Sequence, residues 1–270
     1  MSLDQFYTKK SVAKKCYNTF KKKVDISTFD IFLEPSAGTG SFFKLLPKKK
    51  RVGLDLDPKF EGIKKKDFLK FVSDDDTKYA VIGNPPFGKI SSIAVEFFNK
   101  SAEFADVIAF ILPRTFKRVS IQNQLDLNFH LLYSKDLPLK PCCFTPSMSA
   151  KCAFQIWEKR LEKRNIVVYD KTHPDFSFVK LGPKDNNNQP TPPTTADFAL
   201  KAYGSHCGQI IVKDLKNLRP KSWHWIKSNI DLRELKQRFR SLDYSMSTDT
   251  VRQDSIGQQE LIYLYKCNFD

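Results

Sequence analysis

Short, continuous apolar runs punctuate the first 160 residues, and each is closed by a residue that stops a strand. Residues 28–35 (TFDIFLEP) lead into a Gly-rich turn, and 51–56 and 79–83 are two further runs. Residues 107–112 form a fourth, closed by Pro113. Runs that are apolar throughout, rather than alternating, predict strands of a parallel sheet buried on both faces. Between Ser91 and Ala105, the apolar Ile93, Ala94, Phe97, Phe98, Ala102 and Phe104 recur near helical spacing. Residues 41–46 read as the opening of a helix that Pro47 ends. Residues 129–133 and 152–157 predict two more strands, an antiparallel edge to the same sheet. Strands and helices alternating at this density predict an α/β fold.

The pattern changes at residues 182–197, which are polar, Pro-rich and without period, and predict a loop or linker. Beyond it, 209–212 and 223–226 predict strands, 232–239 a basic helix and 258–265 a last helical segment. The expected organisation is a catalytic domain over 1–164, a partly disordered linker over 165–197, and a small α+β extension over 198–270. No internal repeat is present.

Composition adds a partner. The 270 residues carry a net charge of +15, concentrated in clusters such as Lys21-Lys22-Lys23, Lys48-Lys49-Lys50 and Lys64-Lys65-Lys66. Clustered cations suit a polyanion, and phosphate contacts supply most non-specific nucleic-acid affinity. No run approaches the roughly 20 apolar residues of a membrane span, and the N-terminus lacks a signal peptide's apolar core, so a soluble intracellular protein is expected. None of the six cysteines forms a C-x-x-C pair. The spacing of Cys142, Cys143, Cys152, His206 and Cys207 matches no ligand pattern, which predicts free, partly buried thiols and no metal.

Three elements carry candidate chemistry. Glu34-Pro35-Ser36-Ala37-Gly38-Thr39-Gly40 is a strand end followed by a Gly-rich turn, which lets backbone approach a nucleotide-like ligand. It lacks the Gly-Lys-Ser/Thr ending of a phosphate-binding P-loop. Asp55, ending the second strand, is placed to accept hydrogen bonds from a ribose diol, with Asp57 opening the next turn. Asp67 falls at the end of a third strand, either beside the cofactor's adenine or as a cap. The decisive element is Asn84-Pro85-Pro86-Phe87. Two prolines force the chain out at the strand's carboxyl end, where ligands bind in open α/β sheets. The turn then offers an amide, carbonyls and an aromatic ring, which suit an aromatic amine and its base.

Gln5-Phe6-Tyr7-Thr8, the turn from Glu34 to Gly40, Asp55, Asp67, the Asn-Pro-Pro-Phe motif and the Phe144 region resemble, in order, the motifs of the N6-adenine methyltransferases. In that family class the cofactor motifs precede the catalytic one. The resemblance covers residues 3–160 and implies a seven-stranded, mostly parallel Rossmann-like methyltransferase sheet with S-adenosylmethionine as cofactor. It implies that Phe6, Tyr7 and Thr8 close over the cofactor's methionine part. Glu34, Ser36, Ala37, Gly38 and Gly40 would line the cofactor cleft, with Asp55 on ribose and Asp67 and Phe68 near its adenine. Asn84 and Pro85 would hold the target amine, with Pro86 in the same turn, and Phe87 and Phe144 would sandwich the target base. Arg114, Lys117 and Arg118 follow the strand that ends at Pro113, a placement suited to phosphate. The basic residues of 198–270, Lys216 to Arg240, suit either nucleic-acid contact or a solvated face.

The expected function is therefore N6-adenine methylation of DNA. Its alternatives are the same chemistry on RNA, methylation of protein glutamine, and an inactive nucleic-acid-binding protein.

Overall fold

The computed structural model describes residues 6–74 and 76–270. The chain divides into two compact units, Met1–Ile166 and Val167–Asp270.

The first unit contains β1 (Tyr7–Thr8), α1 (Lys10–Lys23), β2 (Ile31–Glu34), β3 (Arg51–Asp55), β4 (Ile63–Lys65) and β5 (Tyr79–Gly83). There follow α2 (Ser92–Ala102), β6 (Ala105–Pro113), α3 (Val119–Gln122), β7 (Phe129–Asp136), β8 (Phe144–Thr145) and β9 (Cys152–Lys159). Seven strands form one sheet in the order β4-β3-β2-β5-β6-β9-β7. The pairs from β4 to β6 are parallel, and β9 runs antiparallel to both neighbours. This is a mostly parallel, Rossmann-like sheet with the expected antiparallel edge.

Burial explains the strands. All five residues of β5 are buried, and β6 buries eight of its nine. Helix α2 lays Ala94, Phe97, Phe98 and Ala102 onto the sheet, and Phe98 meets Trp157 edge-on at 5.4 Å. Each of the two phenylalanines taken from water stabilises by roughly 1.5–3 kcal/mol. Strand order reverses between β2 and β5, which opens a crevice at the carboxyl ends of these two strands. Glu34 ends one strand and Asn84 follows the other.

One expected helix is absent. Residues 41–46 make only a 3₁₀ turn at Phe43–Leu45, and a second turn at Lys48–Lys50 leads directly into β3. Pro47 disfavours helical backbone at Leu46, and six residues after Gly40 are too few for a stable helix. Conversely, α1 was not expected. It buries Ala13, Cys16, Tyr17 and Phe20, an i, i+3, i+4, i+7 stripe, and ends on three lysines that suit its carboxyl terminus.

The second unit is α+β. It contains β10 (Phe176–Phe178), β11 (Phe198–Lys201), β12 (Ile210–Ile211), β13 (Trp223–Ser228), α4 (Leu232–Ser241) and α5 (Gln258–Phe269). The strands form an antiparallel sheet, β10-β13-β11-β12. Asp231 caps α4, accepting from the Arg233 and Glu234 amides. The expected domain limits need correction: the second unit begins at Val167, and the stretch expected as a linker supplies β10, whose Phe176 lies buried against Phe239 and Tyr265. Within the Pro-rich part, Asp185 Oδ1 accepts from the amides of Asn187 and Gln189, which gives the polar loop a defined turn. Apolar residues at 176, 178 and 198 are too widely spaced along the chain to show as a run.

Candidate active site

The Gly-rich turn leaves β2 at a buried carboxylate. Glu34 Oε2 accepts the Phe43 amide at 2.6 Å. Burial pushes the Glu34 carboxyl well above the ordinary carboxylate range, against the opposing effect of the Phe43 and Phe42 amides. The turn is then pinned to β3: the Ala37 amide donates to the Leu54 carbonyl at 2.9 Å, and the Gly38 amide to Asp55 Oδ2 at 2.7 Å. Gly38 sits at φ +46°, and a Cβ there would lie 2.6 Å from the Tyr7 ring. Glycine is required on both counts.

Asn84 stands across the crevice. Its carbonyl accepts from Ser36 Oγ at 3.0 Å, which joins the two turns. Its Nδ2 donates to the Phe6 carbonyl at 3.1 Å, while its Oδ1 is buried without a partner. Pro85 is buried behind it, and Phe87 packs half-buried on the main core. The chain then turns through Gly88, Ile90 and Ser91, all at positive φ, before α2 begins. A hydroxyl pair, Ser91 with Thr115 at 2.9 Å, ties this loop to the turn after β6.

A short arm completes the cleft. Strand β1 pairs with β8, placing Thr8 opposite Phe144. Ser41 Oγ donates to the Thr8 carbonyl at 2.6 Å, and Thr8 Oγ1 is buried without a partner. Phe6, Tyr7, Thr8, Glu34, Ser36, Ala37, Thr39, Ser41 and Asn84 line one cleft. The structure thus brings together seven residues expected there. Thr39 and Ser41 were missed, although both are hydroxyl residues within or next to the Gly-rich turn. Gln5 lies outside the described residues.

Other expected site residues are engaged differently. Both Asp55 oxygens accept backbone amides, from Gly38 and from Asp57. Asp67 caps the turn Phe68–Lys70 by accepting the Leu69 amide at 3.0 Å. Phe68 lies in the core, 5.1 Å from Phe97, because its ring continues the apolar face beneath α2. Phe144 is also almost fully buried. Arg114 and Lys117 face Asp136 at 3.3 and 2.6 Å, so one carboxylate offsets both cations, and Arg118 is half-buried before α3. In the second unit, Arg238 binds Asp175 and the Tyr265 hydroxyl, a packing role.

The cysteines are free thiols. Hydrogen bonding from Ser147, then from backbone around Phe144 and Met148, lowers the Cys142 pKa to about 7. Among the described residues no group of His, Cys, Asp or Glu could hold a metal, and no helix is long and apolar enough to cross a membrane.

No family model matches the chain, and no curated protein matches it in sequence. Solved structures match part of the chain at low similarity. A candidate RNA methyltransferase from Pyrococcus horikoshii is 20% identical over 59% of this chain and 88% of its own, with a TM-score of 0.44. A 23S rRNA methyltransferase is 16% identical over 58% and 71%, at 0.42. A dimethyladenosine transferase from Plasmodium falciparum is 16% identical over 58% and 64%, at 0.41. Likenesses this distant leave the chemistry to the residues themselves.

Proposed function

We propose that this chain is an S-adenosylmethionine-dependent methyltransferase acting on the N6 amine of adenine in a nucleic acid. The observation that carries this reading is the buried, unpartnered Oδ1 of Asn84 in Asn-Pro-Pro-Phe, at the crevice where strand order reverses. A buried acceptor left unpaired costs about 1–3 kcal/mol, which a substrate donor recovers.

The cleft fits the cofactor on two observations: Thr8 Oγ1 is a second buried group awaiting a partner, and Gly38 keeps side-chain atoms out of the turn. When bound, the cofactor supplies an electrophilic sulfonium methyl. Phe6, Tyr7 and Thr8 would cover its methionine part, and Ser36, Ala37, Gly38 and Gly40 its nucleoside side. Each Asp55 oxygen has a second lone pair for a ribose hydroxyl, and Asp67 would face the adenine end.

The chain's own work is orientation and electrostatics. The N6 lone pair of adenine is delocalised into the ring. Asn84 Oδ1 and the Pro85 carbonyl accept the two N–H groups, favouring a pyramidal nitrogen whose lone pair is free for in-line attack. Neutral Asn84 is a weak base, so the proton departs after transfer. Phe87, half-buried at the end of the turn, would stack on the base and offset part of the few kcal/mol needed to flip a base from a duplex; Phe144 is too deeply buried to form the second wall expected of it. These contacts address the base and not the sugar, so the reading covers RNA as well as the DNA expected first. The net charge of +15 opposes a protein-glutamine substrate.

The test is transfer of labelled methyl from S-adenosylmethionine to duplex DNA, single-stranded DNA, structured RNA and a protein extract, with nucleoside analysis. N6-methyladenine in DNA or RNA, reduced about 100-fold or more by Asn84→Ala, is the expected result. Label confined to protein, or undiminished in Asn84→Ala, would overturn it.

A further inference from the structure

A primary amide presents an acceptor at one end and two donors at the other, and rotation about its last torsion exchanges them. Only one orientation of Asn84 serves a substrate amine: Oδ1 must face the N–H groups, because Nδ2 would oppose donor to donor. Something must therefore fix the amide before the amine arrives. In this fold the fixing group comes from 78 residues earlier in the chain, where the Phe6 carbonyl accepts from Asn84 Nδ2 at 3.1 Å.

We propose that the Phe6 main-chain carbonyl is a positioning group for the transfer, holding the Asn84 amide with Oδ1 turned toward the substrate. The inference rests on the role given to Asn84 above. The free, buried Oδ1 is what this arrangement leaves over: the donor end is satisfied within the chain, and the acceptor end has no partner.

The carbonyl is itself held. Thr8, two residues on, accepts from Ser41 through its carbonyl and pairs with Phe144 through β1 and β8. Tyr7 between them packs on Gly38. One three-residue arm thus fixes the amide, touches the Gly-rich turn and anchors the aromatic residue expected as the second wall. It acts on Asn84 through a backbone carbonyl, so the side chain of residue 6 does not set the orientation of the amide.

The direct measurement is a through-hydrogen-bond scalar coupling between Asn84 ¹⁵Nδ2 and the Phe6 carbonyl ¹³C in the labelled full chain, for which a resolved coupling is expected. The functional measurement compares the full chain, Phe6→Ala, and a chain cleaved so that Tyr7 is its first residue. Phe6→Ala keeps the carbonyl but removes a ring that lines the cofactor cleft, so it should raise the KM for cofactor while the coupling to Asn84 stays resolved. Loss of the carbonyl should lower kcat at saturating cofactor about tenfold or more below that of Phe6→Ala, the scale of a lost orientation effect.

The cycle closes with Asn84→Asp. Both ends of a carboxylate are acceptors, so in that background loss of the Phe6 carbonyl should not lower kcat at saturating cofactor below that of Phe6→Ala. No coupling, or equal kcat with and without the Phe6 carbonyl, would overturn the proposal. If Asn84→Ala is fully active, the catalytic reading itself fails. If Asn84→Ala is inactive while the chain starting at Tyr7 is fully active, only the positioning role fails.

Discussion

Asp55 ties Gly38 to the second strand of the sheet: its Oδ2 accepts the Gly38 amide at 2.7 Å while its Oδ1 accepts the Asp57 amide at 2.8 Å. An acid expected only on a ribose therefore also builds the turn that shapes the cleft. The two uses are compatible, because each oxygen keeps a lone pair.

Asp55→Asn puts this to measurement. The amide that replaces one oxygen donates, so either Gly38 or Asp57 loses its acceptor. An unpaired backbone amide costs about 1–3 kcal/mol. Calorimetric titration should show cofactor affinity weakened about tenfold or more, and thermal melting should show a lower Tm. Unchanged values in both would mean that the turn holds its shape without Asp55.

Gly38→Ala should act through Tyr7. The new Cβ would lie 2.6 Å from the ring at a φ of +46°, and strain of this kind costs about 1–3 kcal/mol. The expected outcome is a Tm lower by several degrees with a weakened hold of the arm, read as increased proteolysis near residues 6–8. A variant as stable and as resistant as the parent would contradict the packing described here.

Glu34 gives a pH dependence with a definite sign. Its folded pKa lies above the ordinary value of 4.5, so the folded chain keeps a proton that the unfolded chain releases. Its contribution is fully present below pH 4.5 and is lost as pH rises through the folded pKa. Glu34→Gln keeps an acceptor for the Phe43 amide without a charge to bury. Melts of both proteins between pH 4 and 8 should show the parent losing stability relative to Glu34→Gln as pH rises. A gap that is constant, or that widens in the parent's favour, would refute the buried neutral carboxyl.

Asp136 faces both Arg114 and Lys117. If those cations meet phosphate, Asp136→Asn should strengthen binding of a fluorescent oligonucleotide several-fold at low salt. The slope of log K against log salt should steepen by about one. An unchanged slope would show that this turn does not touch the backbone of the nucleic acid.

What the sequence makes legible is what local pattern encodes. Strands β2, β5 and β6 announce themselves because both their faces are apolar and a proline or glycine ends each. Asn84 is legible because prolines at 85 and 86 can stand only where a strand has ended. Helix α1 carried a readable signal, with Ala13, Cys16, Tyr17 and Phe20 on one stripe, that its lysines obscured. The contacts that assemble the cleft had no local signal. Two-residue strands such as β1 and β8 have no periodicity, and Phe6 meets Asn84 in an arm held by the pairing of β1 with β8. Phe68 shows the opposite failure, since an aromatic residue beside a cofactor motif is indistinguishable from a core residue until its neighbours are known.

The position of β9 bears on how the protein is made. This strand is the last of its sheet to be synthesised, yet it lies inside, between β6 and β7. Until residue 159 has left the ribosome, β6 has an unpaired apolar edge and β7 has no partner in its sheet. A nascent or truncated chain ending before Cys152 would present that edge to other chains, and unpaired edges of this kind invite aggregation. Expression of such fragments should therefore yield insoluble protein, although β2 and β5, which flank the cleft, pair directly with each other.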